Sequence, residues 1–182
     1  YEKSKEISHS ILKKINNNTK ALNLIGLCLF KQRKYEDSLE FLFKGLSIDN
    51  SNVSILNSIA EIYYEIRNLE KSEEYYLKAL NINPNSYQTL NNIAGYYLET
   101  NRSKKAIEFY KKALILFENE PTILDNLSKA YFSLNQNKLA KKYCKKSLSI
   151  LNSPSTQKSL SHIFLKEENY SNAWEYFDGR IY

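Results

Sequence analysis

The chain says nearly the same thing four times. From Leu22 it reads LNLIGLCLFKQRKYEDSLEFLFKGL, and from Leu56 LNSIAEIYYEIRNLEKSEEYYLKAL. From Leu90 it reads LNNIAGYYLETNRSKKAIEFYKKAL, and from Leu124 LDNLSKAYFSLNQNKLAKKYCKKSL. The spacing is 34 residues, which divides the chain into repeats 19–52, 53–86, 87–120 and 121–153. Residues 154–182 read as a last repeat or capping pair, and 1–18 as the second helix of a partial repeat, so 1–182 is one array. Such a period is the mark of a stack of small supersecondary units, each supplying its neighbour's core.

Each unit reads as two helices. In the third, Leu90, Ile93, Ala94 and Tyr97 fall at i, i+3, i+4, i+7 and share a helical face. Ala106, Tyr110, Ala113 and Leu114 do the same for its second helix. Between them, Asn101 is placed to close the first helix in a left-handed conformation, and Ser103 to cap the second. Pro84 and Pro121 punctuate the repeat boundaries.

Small residues recur in register at Gly26, Ala60, Ala94, Ser128 and Ser161. They recur again at Ser38, Ser72, Ala106, Ala140 and Ala173, and at Gly45, Ala79, Ala113 and Ser147. Helices that cross at about 8–10 Å need small side chains there. Large residues alternate with them: Leu29, Tyr63, Tyr97, Tyr131 and Phe164, then Leu42, Tyr76, Tyr110, Cys144 and Phe177. The predicted fold is all-α, a curved solenoid of about five helix hairpins preceded by a half repeat.

Composition narrows the function. The 182 residues hold two histidines, two cysteines, four glycines and no methionine. Catalysis needs convergent acid, base, nucleophile or metal ligands. His9 and His162 lie in different repeats, apart from the cysteines, and no glycine-rich loop could cradle a phosphate. No catalytic residue, metal site or cofactor is expected. Cys28 and Cys144 are expected to be buried free thiols, which suits a reducing, cytoplasmic setting. No apolar run is long enough to span a membrane. The formal net charge is +6, carried largely by the pairs Lys104–Lys105, Lys111–Lys112, Lys141–Lys142 and Lys145–Lys146. These read as a solvated outer surface, with no nucleic acid or membrane as partner. The opening YEKSKEI suggests a piece of a longer polypeptide.

The 34-residue period, the IAGYY of 93–97 and the A-x-x-x-Y-x-x-A from Ala106 to Ala113 resemble the tetratricopeptide repeat. Asn101 and Arg67 stand where that family usually has a turn glycine, and its terminal proline is kept only at Pro84. The resemblance implies a right-handed superhelix whose first helices line a concave groove for a protein or extended peptide. On that reading the groove includes Asn57, Tyr64, Asn91, Asn92, Leu98, Asn126, Phe132 and His162, with Glu61, Glu65, Glu99 and Lys129 tuning charge. A side-chain amide both donates and accepts, so asparagines in a row suit a peptide backbone.

LNNIA also resembles the repeats of O-linked N-acetylglucosamine transferase and related bacterial glycosyltransferases. There an asparagine at the site of Asn92 and Asn126 grips the acceptor polypeptide; Ser58 and Leu24 interrupt the row here. The terminal W-x-x-F-D-x-R of Trp174, Phe177, Asp178 and Arg180 resembles the last repeat of those enzymes, before their catalytic region. That resemblance implies a domain junction; capping of the stack is the alternative. End-to-end self-association through Tyr1, Ile7 and Ile11 is a third possibility.

Overall fold

The computed structural model describes residues 18–177. Among them are ten α-helices and no strand: α1 (Thr19–Lys31), α2 (Tyr35–Ile48), α3 (Val53–Glu65), α4 (Leu69–Ile82), α5 (Tyr87–Glu99), α6 (Ser103–Leu116), α7 (Pro121–Ser133), α8 (Asn137–Ile150), α9 (Pro154–Lys166) and α10 (Tyr170–Phe177). This is the all-α architecture of paired helices expected for an α-solenoid. The half repeat at 1–18 lies almost wholly outside the described residues, as do Tyr1, Ile7, Ile11, His9, Asp178 and Arg180.

Local chemistry sets the helix ends. The Asn18, Asn52 and Asn68 side chains accept from the first free backbone N–H groups of α1, α3 and α4. Pro121 and Pro154 occupy first-turn positions of α7 and α9, where no N–H is needed. Each hairpin turns through one residue with positive φ: Arg33 at 60°, Arg67 at 64°, Asn101 at 59°, Asn135 at 60° and Glu168 at 58°. The next residue's N–H then reaches back to the first helix, as Lys34 does to the Leu29 carbonyl at 3.0 Å and Arg102 to that of Tyr97 at 2.7 Å. This is the Schellman closure, made here without glycine. Ser103 is not the cap expected of it. Arg102 holds that place, and the buried Ser103 hydroxyl accepts from Ser133 at 2.6 Å.

Every small residue of the three recurrent sites is buried. Gly26 shows why: a Cβ there would meet Leu42 Cδ2 at 2.7 Å. Two large residues depart from the pattern. Leu29 is only half-buried. Phe177 is 55% exposed, because no further hairpin covers it among the described residues. Cys28, expected inside, is exposed, being off the Leu22–Gly26 stripe that α1 buries.

The chain forms two compact units, one ending at Thr89 and one beginning at Leu90. In the first, Leu42, Ile55, Ile59, Ile62 and Tyr63 form a core flanked by Phe30, Tyr35, Leu39, Leu46 and Tyr75. In the second, Ile93, Tyr110, Ile123, Leu127, Leu160 and Ile163 are buried around the small residues Ala94, Ala106, Ala113 and Ala140. One aromatic contact recurs inside the hairpins. Tyr63 stacks on Tyr75, Tyr97 on Phe109, Tyr131 on Tyr143 and Phe164 on Tyr176, with ring centroids 5.4–5.7 Å apart.

Candidate functional site

The first helices carry most of the side chains singled out in the sequence. In the second unit, Asn126 on α7 donates through Nδ2 to Asn91 Oδ1 on α5 at 3.3 Å. The first unit holds the same link one repeat apart: the Ser58 hydroxyl on α3 donates to Asn23 Oδ1 on α1 at 3.3 Å. The polar row therefore braces neighbouring repeats, a role the sequence reading did not give it. The signal was available, since both links join positions 35 residues apart.

Asn57 is placed differently from the open face expected of it. Its side chain is 1% exposed, and its Nδ2 donates to Thr89 Oγ1 at 2.9 Å. Asp125, its counterpart on α7, is also buried and pairs with Lys129 at 2.7 Å, one helical turn on. Asn91, Asn92, Leu98, Lys129 and Phe132 are half-buried in the second unit. Glu61 and Tyr64 are half-buried in the first. Burial pushes the Glu61 carboxyl above the usual glutamate range; Lys31 opposes that rise and Glu65 adds to it.

Lys129, Phe132 and His162 come together. With Ser128, Ser159 and Ile163 they line a cleft of about 260 Å³ between α7 and α9. Ile163, 1% exposed, and the Phe132 ring supply its apolar surface. Two ammonium groups border it. Lys129 keeps 41% of its side chain in solvent although paired with Asp125, and Lys166 sits 4.7 Å from the Phe132 ring centroid while donating to Asn135. Such a cleft can hold an apolar side chain and attract a carboxylate beside it.

Trp174 and Phe177 stack on each other at 5.6 Å on α10, and Trp174 is 67% exposed. Among the described residues no group of three His, Cys, Asp or Glu side chains could hold a metal ion. No described helix is long and apolar enough to cross a membrane.

No curated protein sequence is significantly similar to the chain. Solved structures share its fold. One, from a functional characterisation of Pseudomonas aeruginosa PilF, is 26% identical, with a TM-score of 0.81 over 88% of this chain and 74% of its own. PilW, a type IV pilus biogenesis factor, is 22% identical, with a TM-score of 0.82 over 88% of this chain and 75% of its own. YrrB, a TPR protein with an unusual peptide-binding site, is 14% identical, with a TM-score of 0.68 over 94% and 89%. Two family models, each described as Tetratricopeptide repeat, match residues 51–119 and 121–150, together more than half of the sequence. The chain belongs to the tetratricopeptide repeat family.

Proposed function

We propose that this chain is a non-catalytic scaffold that holds a protein segment or extended peptide along the first helices of its second unit. The observation that carries the reading is the cleft between α7 and α9, with an apolar floor and lysines at its border. It would take an apolar side chain of the partner, with an acidic neighbour drawn to Lys129 and Lys166. Asn91, Asn92 and Asn126, next along the same face, would bond the partner's backbone. The peptide-binding site named for YrrB, a protein of similar fold, supports this reading. Two cysteines without a disulfide suit a reducing, cytoplasmic setting.

A peptide array probed with the full chain tests the reading. Bound peptides should weaken about tenfold or more when Phe132→Ala is combined with Asn126→Ala. Retained affinity in a variant that melts cooperatively would remove the α7–α9 site from consideration.

The stacked, exposed Trp174 and Phe177 favour a second reading. In it the array is the acceptor-recognition arm of a larger glycosyltransferase, and these rings are covered by its catalytic domain. The mass of the native polypeptide separates the two: a parent ending near Tyr182 rules the arm out.

A further inference from the structure

The second helices of the repeats change sign along the chain. α2 carries three acidic residues and one lysine, and α4 three acidic residues and two lysines. α6 carries four lysines and one glutamate, and α8 five lysines and no acid. A neutral drift in composition would scatter such charges. Instead Lys138, Lys142 and Lys145 recur at i, i+4, i+7, all exposed, while Ala140, Cys144 and Ser147 of the same helix are buried.

Apolar side chains stand beside this charge. Ile115, near the end of α6, is 79% exposed, and Leu151, just past α8, is 55% exposed. The Lys146 ammonium lies 3.5 Å from the Glu118 carbonyl, and the Ser147 hydroxyl donates to the Pro121 carbonyl at 2.8 Å. Those contacts bring the end of α8 against the connection that follows α6. The end of α8, with Lys145, Lys146 and Leu151, thus lies beside the end of α6, with Ile115, at one edge of the second unit.

We infer that this edge of α6 and α8 docks on an anionic phospholipid surface, with Lys138, Lys142 and Lys145 facing the headgroups and Ile115 and Leu151 entering the acyl boundary. The composition selects this partner over other anions. The basic residues of both helices are all lysine, a point charge suited to a diffuse layer of phosphates; arginine forks are what recognise carboxylates in pairs. Lysine is also depleted from protein interfaces. Single-stranded bases are held on open aromatic faces, whereas the nearby rings of Tyr97 and Phe109, and of Tyr131 and Tyr143, are stacked on each other. Attraction to an anionic leaflet and burial of a few aliphatic side chains act together in peripheral binding. The inference is independent of peptide binding on the first helices.

Co-sedimentation of the full chain with vesicles tests it. The chain should pellet with equimolar phosphatidylcholine and phosphatidylglycerol, stay in solution with phosphatidylcholine alone, and be released by salt. Lys138→Gln with Lys142→Gln and Lys145→Gln should weaken binding roughly a hundredfold. Ile115→Ser with Leu151→Ser should weaken it at unchanged charge. All five positions are exposed, and a circular-dichroism melt checks each fold. No partition to the anionic vesicles overturns the proposal. So does binding that poly-glutamate or single-stranded DNA competes away while the Ile115 and Leu151 variant binds normally, since the surface would then serve a soluble polyanion.

Discussion

Cys144 Sγ lies 3.1 Å from the Ser128 hydroxyl, and both side chains are fully buried between α7 and α8. Burial pushes the Cys144 thiol up to about 11, although the serine hydroxyl pulls the other way. At about pH 8 that leaves roughly one chain in a thousand with a thiolate, and the thiolate is the nucleophile. Cys28 is exposed. A thiol reagent should therefore label the native chain once, at Cys28, and twice after denaturation. Cys28→Ser should remove the native reaction. Rapid native labelling of that variant would show Cys144 to be more open than this packing allows.

The hairpin turns hold unrelieved backbone strain. Arg33 adopts φ of 60° with an ordinary side chain, where a Cβ crowds the following carbonyl. Its backbone N–H still donates to the Phe30 carbonyl at 2.8 Å, so glycine would keep the closure and lose the crowding. Arg33→Gly should raise stability by about 1 kcal/mol, and Arg33→Val should lower it. Chemical denaturation of both variants gives the ordering, and a glycine variant less stable than the parent would contradict it.

These turns also mark where the sequence stops being legible. The helix pairs follow from apolar residues at helical spacing, and the crossing points from small residues in register. Both patterns repeat, so each position is read several times over. Asn101 could be placed in its left-handed turn because asparagine tolerates that conformation. Arg33, Arg67 and Glu168 take it only because the packed helices on either side impose it. The polar residues of the first helices were harder still. Asn57 and Asn91 stand in equivalent repeat positions. Yet the first is buried against Thr89 while the second is half-buried and accepts from Asn126. Their neighbours one repeat on decide this, and periodicity does not encode it. The cleft at Lys129, Phe132 and His162 likewise joins residues of successive repeats.

Asn57 and Thr89 supply a test of that burial. Thr89 Oγ1 accepts from Asn57 Nδ2 and donates to the Ser86 hydroxyl, both at 2.9 Å. Asn57 Oδ1 is buried with no partner among the described residues. Thr89→Val keeps the shape and removes the acceptor, leaving a buried amide without the one bond it makes here. The expected loss is about 1–3 kcal/mol. In the Asn57→Ala background the same change should cost clearly less. Equal losses in both backgrounds would mean that the two side chains are not coupled.

Glu61 gives a pH dependence of definite sign. Burial holds its carboxyl above the ordinary value of 4.5 in the folded chain, against the pull of Lys31. The folded state thus binds the proton more tightly than the unfolded state does. Its stabilisation by that proton is complete below the ordinary value and is lost as pH rises through the folded one. At neutral pH the ionised carboxylate is the less favourable occupant of α3. Glu61→Gln keeps the size and hydrogen-bonding capacity without the charge. It should raise the melting temperature at neutral pH, leave it unchanged in acid below the ordinary glutamate value, and flatten the pH profile between. If Glu61→Gln melts lower than the parent at neutral pH, the attraction to Lys31 outweighs the cost of burial, and the sign of the profile reverses with it.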